Sequence, residues 1–265
     1  MASPRKADPA APLAVLRREE VAAIVAVLAV AAMAWLITDV RMAGMDAGPW
    51  TDPGSLGVYT STWFVMMVAM MLPSTMPMVL VFRRLKQARS SPTLATSIFV
   101  IGYFAVWTAS GLVAYAALKA GLSGGIFTWD HSGRPIAVGA LIVAAVYEIT
   151  PLKNMCLGKC RSPFGFLLSS WRDGLRGAFT MGARHGAWCL GCCWALMMAL
   201  FALGVMSLTW MLVVTGLIAI EKLLPWRKVA TGVVTVVLFA AAIGVAVAPA
   251  SVPWLTIPTA GPMHM

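Results

Sequence analysis

The sequence predicts an all-α protein, a polytopic transmembrane helical bundle of about seven spans. Of the 265 residues, 60% are hydrophobic and 11% are charged, whereas soluble domains usually carry about 25% charged residues. The hydrophobic residues form blocks of 18 or more, and a helix of that length crosses a hydrocarbon core of about 30 Å. Helices are expected because each backbone polar group in lipid must be bonded within its own segment.

Seven apolar segments are expected to form the spans. They cover residues 21–38, 60–82, 94–118, 135–152, 178–205, 208–224 and 229–248. The first is longer than the apolar core of a signal peptide, which favours an uncleaved anchor. The chain is therefore divided into an N-terminal tail (1–18), a membrane domain (19–248) and a Pro-rich C-terminal tail (249–265).

The charges predict how the chain is oriented. Of the 20 Lys and Arg, 17 precede the first span, follow the second or sixth, or lie between the fourth span and the first turns of the fifth. The other three, Arg41, Lys119 and Arg134, lie near alternate ends of the spans. This positive-inside pattern predicts a cytoplasmic N-terminus and an outer C-terminus. The net charge of +10 is thus an orientation signal and does not indicate nucleic-acid binding.

The fifth span contains an unusual group of soft metal ligands. The stretch "ARHGAWCLGCCWALMM", residues 183–198, holds His185, Cys189, Cys192 and Cys193. On a helix the first three fall within about 60° of one another, and thiolates with imidazole favour Cu(I) or Zn(II). Single cysteines and histidines often only pack in cores. Together in lipid, where polar groups are costly, they indicate a metal site.

A second cysteine pair lies just beyond the cytoplasmic end of the fourth span. Cys156 and Cys160 in "CLGKC" are four residues apart, a spacing typical of metal-binding or redox-active cysteines in reducing compartments. A basic loop of more than 15 residues is expected before the fifth span. Cys156 and Cys160 are therefore predicted to form a separate cytoplasmic site.

The second span supplies a third set of sulfur atoms. In "WFVMMVAMMLPSTMP", Met70 and Met71 are expected to complete the metal shell from a helix kinked by Pro73 and Pro77. Methionine also fills gaps in apolar cores, and the sequence does not separate the two interpretations.

Two carboxylates near the cytoplasmic ends of spans also need partners. Glu148 is expected to meet a basic residue, a proton or the metal, and Glu221 an ion-pair partner, because an unpaired charge in lipid is costly. Spans two, four, five and six, which carry these polar and sulfur groups, are predicted to form the inner bundle. Spans one, three and seven are predicted to be peripheral.

These segments together resemble a known bacterial family. The stretches "YEITPLKNMCLGKCRSP", "GARHGAWCLGCCWALM", "GVM" and "EKLLP", with the methionine-rich second span, are similar to predicted metal-binding integral membrane proteins, a domain of unknown function. The resemblance covers about residues 60–225. It implies metal binding in a bacterial inner membrane. The family pattern has glutamine and asparagine at the positions of Glu148 and Ser207.

The favoured function is binding of a soft ion, Cu(I) with zinc as the alternative, for transport or delivery to a metal-accepting protein. Thioethers toward the outer side and thiols toward the cytoplasm favour import. A membrane thiol–disulfide relay through Cys189 and Cys192, with Cys156 and Cys160 as exchange partners, is the second hypothesis. A non-catalytic assembly subunit is the third. No nucleotide-binding loop or catalytic triad order is visible in the sequence, so an enzyme is not indicated.

The orientation can be tested with reporters. Because the basic residues favour one side, an alkaline phosphatase fused after Met265 should be active, whereas a fusion after Arg89 should be inactive. The reverse pattern would invert the sidedness of every site.

Overall fold

The computed structural model describes residues 18–43, 49–50, 52–87, 92–127, 132–224 and 226–252. These residues form an all-helical structure, which confirms the predicted fold class. The helices are α1 (Arg18–Met42), α2 (Leu56–Gln87), α3 (Pro92–Ser123), α4 (Arg134–Glu148), α5 (Pro151–Arg161), α6 (Pro163–Ser170), α7 (Gly174–Leu203), α8 (Leu208–Leu223) and α9 (Arg227–Val247). A short 3-10 turn, Pro249–Ser251, follows α9.

Five of these helices, α1, α2, α3, α7 and α9, are long and apolar enough to cross a membrane. Helices α4 and α5 pass the same test only as a broken span, bent by 66°. Helix α8 has 16 residues, which corresponds to about 24 Å of helix. Every predicted span therefore coincides with a helix or a broken helix pair, while the count of seven crossings stays a prediction.

The bend between α4 and α5 follows from two residues of the sequence. The residue before a proline is disfavoured in helical conformation, and proline suits the first turn of a new helix. Thr150 accordingly has an extended backbone, and its hydroxyl accepts the N–H of Lys153 at 3.3 Å. The prediction of a loop between the fourth and fifth spans was wrong, because helix α5 begins at Pro151 and helix α6 begins at Pro163.

Helices α3 and α7 make the closest helix contact. Gly102 of α3 and Gly182 and Gly186 of α7 lie at it, and a Cβ on Gly186 would lie 2.8 Å from the carbonyl oxygen of Tyr103. Small residues allow such close approach between helices in membranes, where dispersion and polar contacts drive association. The spacing of Gly182 and Gly186 thus fixes the position of α7 against α3.

The burial of the helices agrees largely with the predicted inner bundle. Helices α2 and α7 are the most buried of the five long helices, and α1 and α9 are mostly exposed. Helix α3 departs from its predicted peripheral position, because its Tyr103 and Trp107 are fully buried. The prediction for α3 counted its apolar residues and did not consider the glycine and aromatic face that packs on α7.

The glycine contact gives a stability prediction. In Gly182→Ala the new methyl would collide with the backbone of Phe99, and overpacking of this kind costs about 1–3 kcal/mol. The midpoint of thermal unfolding in detergent should fall. The matched control is Gly216→Ala, whose methyl would meet nothing within 4 Å and which should be neutral or slightly stabilising. Equal effects of the two changes would contradict the close contact.

Candidate metal centre

Three thiols from two helices meet inside the bundle. Cys160 of α5 and Cys189 and Cys192 of α7 have sulfur atoms that all lie within 4.8 Å of one another. The Sγ atoms of Cys160 and Cys192 are 3.8 Å apart. Cys189 and Cys192 are buried, and Cys160 is partly exposed. All five cysteines of the chain are free.

Gly191 allows α5 to approach α7. A Cβ at this position would lie 3.0 Å from the sulfur of Cys156, which is tighter than nine in ten real Cβ contacts. The hydroxyl of Tyr147, at the end of α4, donates to the carbonyl of Gly191 at 2.6 Å. The absence of a side chain and the tyrosine bond together place the first turns of α5 beside the middle of α7.

A cation lies directly at the thiol cluster. Lys222 of α8 donates to the sulfur of Cys189 at 3.1 Å and to the hydroxyl of Ser74 in α2 at 3.1 Å. The hydroxyl of Tyr103 lies 3.0 Å from the same sulfur. An ammonium favours the thiolate form of a neighbouring cysteine, and the thiolate is the form that binds metal. Cys189 is therefore the electrostatic centre of the cluster.

The backbone of α7 also contacts these side chains. The thiols of Cys192 and Cys193 donate to the carbonyl of Cys189 at 3.1 Å and 2.8 Å. Cys193 is buried on the edge of the cluster but does not belong to the group of three within the described residues.

The prediction that Cys156 and Cys160 form a separate cytoplasmic site was wrong for Cys160. The bend at Thr150 turns α5 back onto α7, so Cys160 joins Cys189 and Cys192. Cys156, one helical turn earlier, is buried beside Gly191 and is not in the group of three.

His185, predicted as part of the core of the site, lies apart from the three thiols. Its ring packs among those of Phe99, Tyr103 and Phe166, with centroid distances of 6.2 Å, 5.6 Å and 5.4 Å. Its Nδ1 has no hydrogen-bond partner among the described residues. His185 instead lines a cavity of about 70 Å³ together with Cys160 and others. The histidine thus lies beside the approach to Cys160.

Met70 and Met71 are buried in the same apolar core as the clustered cysteines. Helix α2 continues through Pro73 and Pro77. The hydroxyl of Ser74 donates to the carbonyl of Met71 at 2.9 Å. The two methionines are within the bundle, as the inner-bundle prediction requires, and their role as ligands stays a prediction.

Glu148 meets a basic residue and not the thiols. Lys153 forms ion pairs with Glu148 and with Glu221 at 2.7 Å, and all three side chains are at most 3% exposed. The expected ion pair of Glu221 is thus confirmed, although it is buried. Two carboxylates share one ammonium, so the three side chains carry a formal charge of −1 when both carboxylates are ionised. Ser207, the other departure from the family pattern, caps α8 by accepting the N–H of Trp210.

Sequence reasoning did not identify Lys222 or Tyr103 as part of the site. Lys222 was counted only as a charge that orients the chain, and Tyr103 lies in a predicted peripheral span. The short motif "EKLLP" is the one local signal, since it places a lysine inside the last turn of an apolar helix.

The fold and the site define an all-helical protein with candidate membrane spans and a buried cluster of thiols suited to a soft metal ion. The chain belongs to the copper chaperone family PpoB2, which it matches over residues 60–245. No curated protein and no solved structure matches the chain. The family and the cysteine cluster together fit a copper-binding role.

The buried ion cluster predicts an asymmetry between two substitutions. Lys153→Met would leave two unpaired buried carboxylates and should destabilise the protein by about 3–5 kcal/mol, the usual cost of breaking a buried pair. Glu148→Gln keeps the pair of Lys153 with Glu221 and removes the excess negative charge, so its cost should be smaller. Thermal unfolding of both variants in detergent checks this order, and a larger loss for Glu148→Gln would contradict it.

Proposed function

We propose that this chain binds Cu(I) at Cys160, Cys189 and Cys192 within the bacterial inner membrane and delivers it to a metal-accepting protein. The observation that carries the proposal is the convergence of three thiols from two helices in a buried site. Membership of a copper chaperone family supports copper as the cargo.

The spacing of the sulfur atoms suits one soft ion. Thiolate–metal distances are about 2.3 Å for zinc, and a similar distance for copper puts sulfurs about 4.0 Å apart in a trigonal site or about 4.6 Å apart in a linear one. The observed limit of 4.8 Å and the 3.8 Å contact of Cys160 with Cys192 are close to these values. Structural Zn(II) sites use four ligands, whereas the cluster offers three, so Cu(I) is favoured over zinc.

The charge of the site also suits Cu(I). When two of the three cysteines bind as thiolates and the third as a neutral thiol, bound Cu(I) carries a net charge of −1, which the ammonium of Lys222, 3.1 Å from Cys189, can offset. Neutralisation matters because a net charge in an apolar interior is costly.

The other predicted ligands have supporting positions in this proposal. Cys193, Met70 and Met71 are buried in the same apolar core as Cys189 and Cys192, and His185 lines the same cavity as Cys160. The cavity gives an ion a route to the thiols from the side predicted to be cytoplasmic. Glu148 acts through the ion cluster with Lys153 and does not bind copper.

A thiol–disulfide relay is the second candidate function. The 3.8 Å contact between the sulfurs of Cys160 and Cys192 favours it, because exchange needs two thiols in reach of each other. The sequence suggested a pair of Cys189 with Cys192, and the structure adds Cys160, whose sulfur lies 3.8 Å from that of Cys192.

Cu(I) binding to cysteine variants tests the proposal. Protein purified anaerobically is titrated against a chromophoric Cu(I) chelator. Cys160→Ser, Cys189→Ser and Cys192→Ser should each weaken binding by at least roughly 100-fold, because each removes a direct ligand. Cys156→Ser, on the same helix but outside the group of three, is the matched control and should bind as the wild type does.

Two results would contradict the proposal. Unchanged Cu(I) affinity in Cys189→Ser would show that Cys189 is not a ligand of the ion. Formation of a Cys160–Cys192 disulfide on mild oxidation, with metal content equal in wild type and variants, would favour the relay.

A further inference from the structure

Three methionines line a second, much smaller cavity in the bundle. Met42, Met66 and Met206, all buried, surround a space of about 10 Å³ together with Tyr59 and Thr62, among others. A space of this size is about what one water-sized atom needs. None of the three methionines belongs to the thiol cluster, and the family match alone gives them no role.

Three separate parts of the chain bring these methionines to one cavity. Met42 ends α1, Met66 lies in α2, and Met206 lies in the turn between α7 and α8. Gly204 in this turn has a φ of +114°, a conformation that favours glycine. The N–H of Ser207 donates to the carbonyl of Gly204 at 3.1 Å. The turn thus holds Met206 in a defined place.

Two residues that line this cavity have hydroxyls without a hydrogen-bond partner among the described residues. The hydroxyls of Tyr59 and Thr62 are buried and have no hydrogen-bond partner within the part of the chain that the structure describes. An unsatisfied buried hydroxyl costs about 1–3 kcal/mol. Methionines that only fill a gap would not explain a cavity that also carries two unpaired oxygens.

We infer that Met42, Met66 and Met206 form a second metal site, which takes a single Cu(I) ion through three thioether sulfurs. Thioethers are soft, neutral ligands that select Cu(I) over zinc and over hard cations. A water molecule would fit the space and could pair with the hydroxyls of Tyr59 and Thr62, but it would gain little from the three thioether sulfurs, which are weak hydrogen-bond acceptors. The oxygens of Tyr59 and Thr62 add dipoles that stabilise the charge of the ion.

Aromatic rings form part of the same cavity wall. Trp63 lines it and is held in place by a hydrogen bond from its indole N–H to the carbonyl of Trp107 at 2.9 Å. The ring of Tyr59 stacks on that of Trp63, with centroids 5.9 Å apart. Aromatic faces attract cations, and this attraction partly replaces the counter-charge that neutral thioethers do not supply.

The two sites differ in how they should respond to pH. Thiols must lose protons to bind copper, so binding at the thiol cluster weakens as the pH falls. Thioethers carry no proton, and their affinity should be nearly independent of pH. The thioether site should also be the weaker one, because no ligand charge offsets the charge of the ion.

The position of the site suggests its part in copper handling. Met66 is eight residues from Ser74, which contacts Lys222 at the thiol cluster, so the two sites are separated by about 12 Å along α2. The thioether site lies at the end predicted to be outside. The thioether site is therefore placed to receive Cu(I) before the thiol cluster does. This role in transfer rests on the proposed function, whereas Cu(I) binding at the thioether site does not.

Binding can be measured without the thiol cluster. A variant with Cys160→Ser, Cys189→Ser and Cys192→Ser is labelled with selenomethionine and given one equivalent of Cu(I) anaerobically. X-ray absorption should show selenium atoms bound to copper, and the affinity should be nearly the same at acid and neutral pH. Met66→Leu in this background should weaken binding by roughly 10–100-fold. Met67→Leu, the adjacent buried methionine that does not line the cavity, is the matched control and should bind normally.

Three results would overturn the inference: no Cu(I) bound by the triple variant, a copper shell without selenium, or equal losses in Met66→Leu and Met67→Leu. If the triple variant does not fold, the wild type loaded with two equivalents of Cu(I) is compared with its Met66→Leu and Met67→Leu variants. The second equivalent should then show the selenium shell, and its absence would equally overturn the inference. Loss of binding in single Cys variants remains the separate test of the thiol cluster.

Discussion

The approach of α5 to α7 at Gly191 is the contact on which the thiol site depends. Without it, Cys189 and Cys192 would be two thiols on one helix, one turn apart, with no third thiol beside them. The bend at Thr150 aims α5 at α7, and the missing side chain of Gly191 lets the sulfur of Cys156 come close enough for Cys160 to reach Cys192. Gly191 thereby favours the close packing of α5 on α7 that adds a third thiol to the two of α7.

Charge in an apolar environment is the second constraint on this region. The charged side chains of the inner bundle described here are arranged in small groups that limit the net charge. Lys222 lies beside Cys189, and Lys153 lies between Glu148 and Glu221. Buried charges that lack partners are costly, so such groups also fix the helices that carry them. The same interactions that permit charge inside the bundle therefore also determine the geometry of the thiols.

Helical periodicity and composition predicted much of this structure, because both are local properties. The spacing of Cys189 and Cys192 placed them on one face of a helix, and that prediction is confirmed. His185 shares the face by angle but lies a full turn earlier, where the aromatic rings of α3 and α6 surround it.

The remaining parts of the site depend on contacts distant in the sequence. Cys160 joins the cluster through a bend whose direction no local pattern specifies, and Lys222 reaches Cys189 across 33 residues. Met42, Met66 and Met206 meet only when three separate parts of the chain are packed. The local sequence identifies such residues as charges that are costly to bury or as soft metal ligands. Which residues they contact follows only from the tertiary structure.

The links between α5 and α8 have a mechanical consequence. Arg161, the last residue of α5, donates to the carbonyls of Glu221, at 2.8 Å, and Leu224 at the end of α8, and Lys153 of α5 is paired with Glu221. The two helices are thus joined by charged bonds at both ends of α5, whereas α5 meets α7 through a glycine and thiols. Because these bonds join α5 to α8, a movement of the two helices away from α7 would withdraw Cys160 and Lys222 together and leave Cys189 and Cys192 without the third thiol and without the cation.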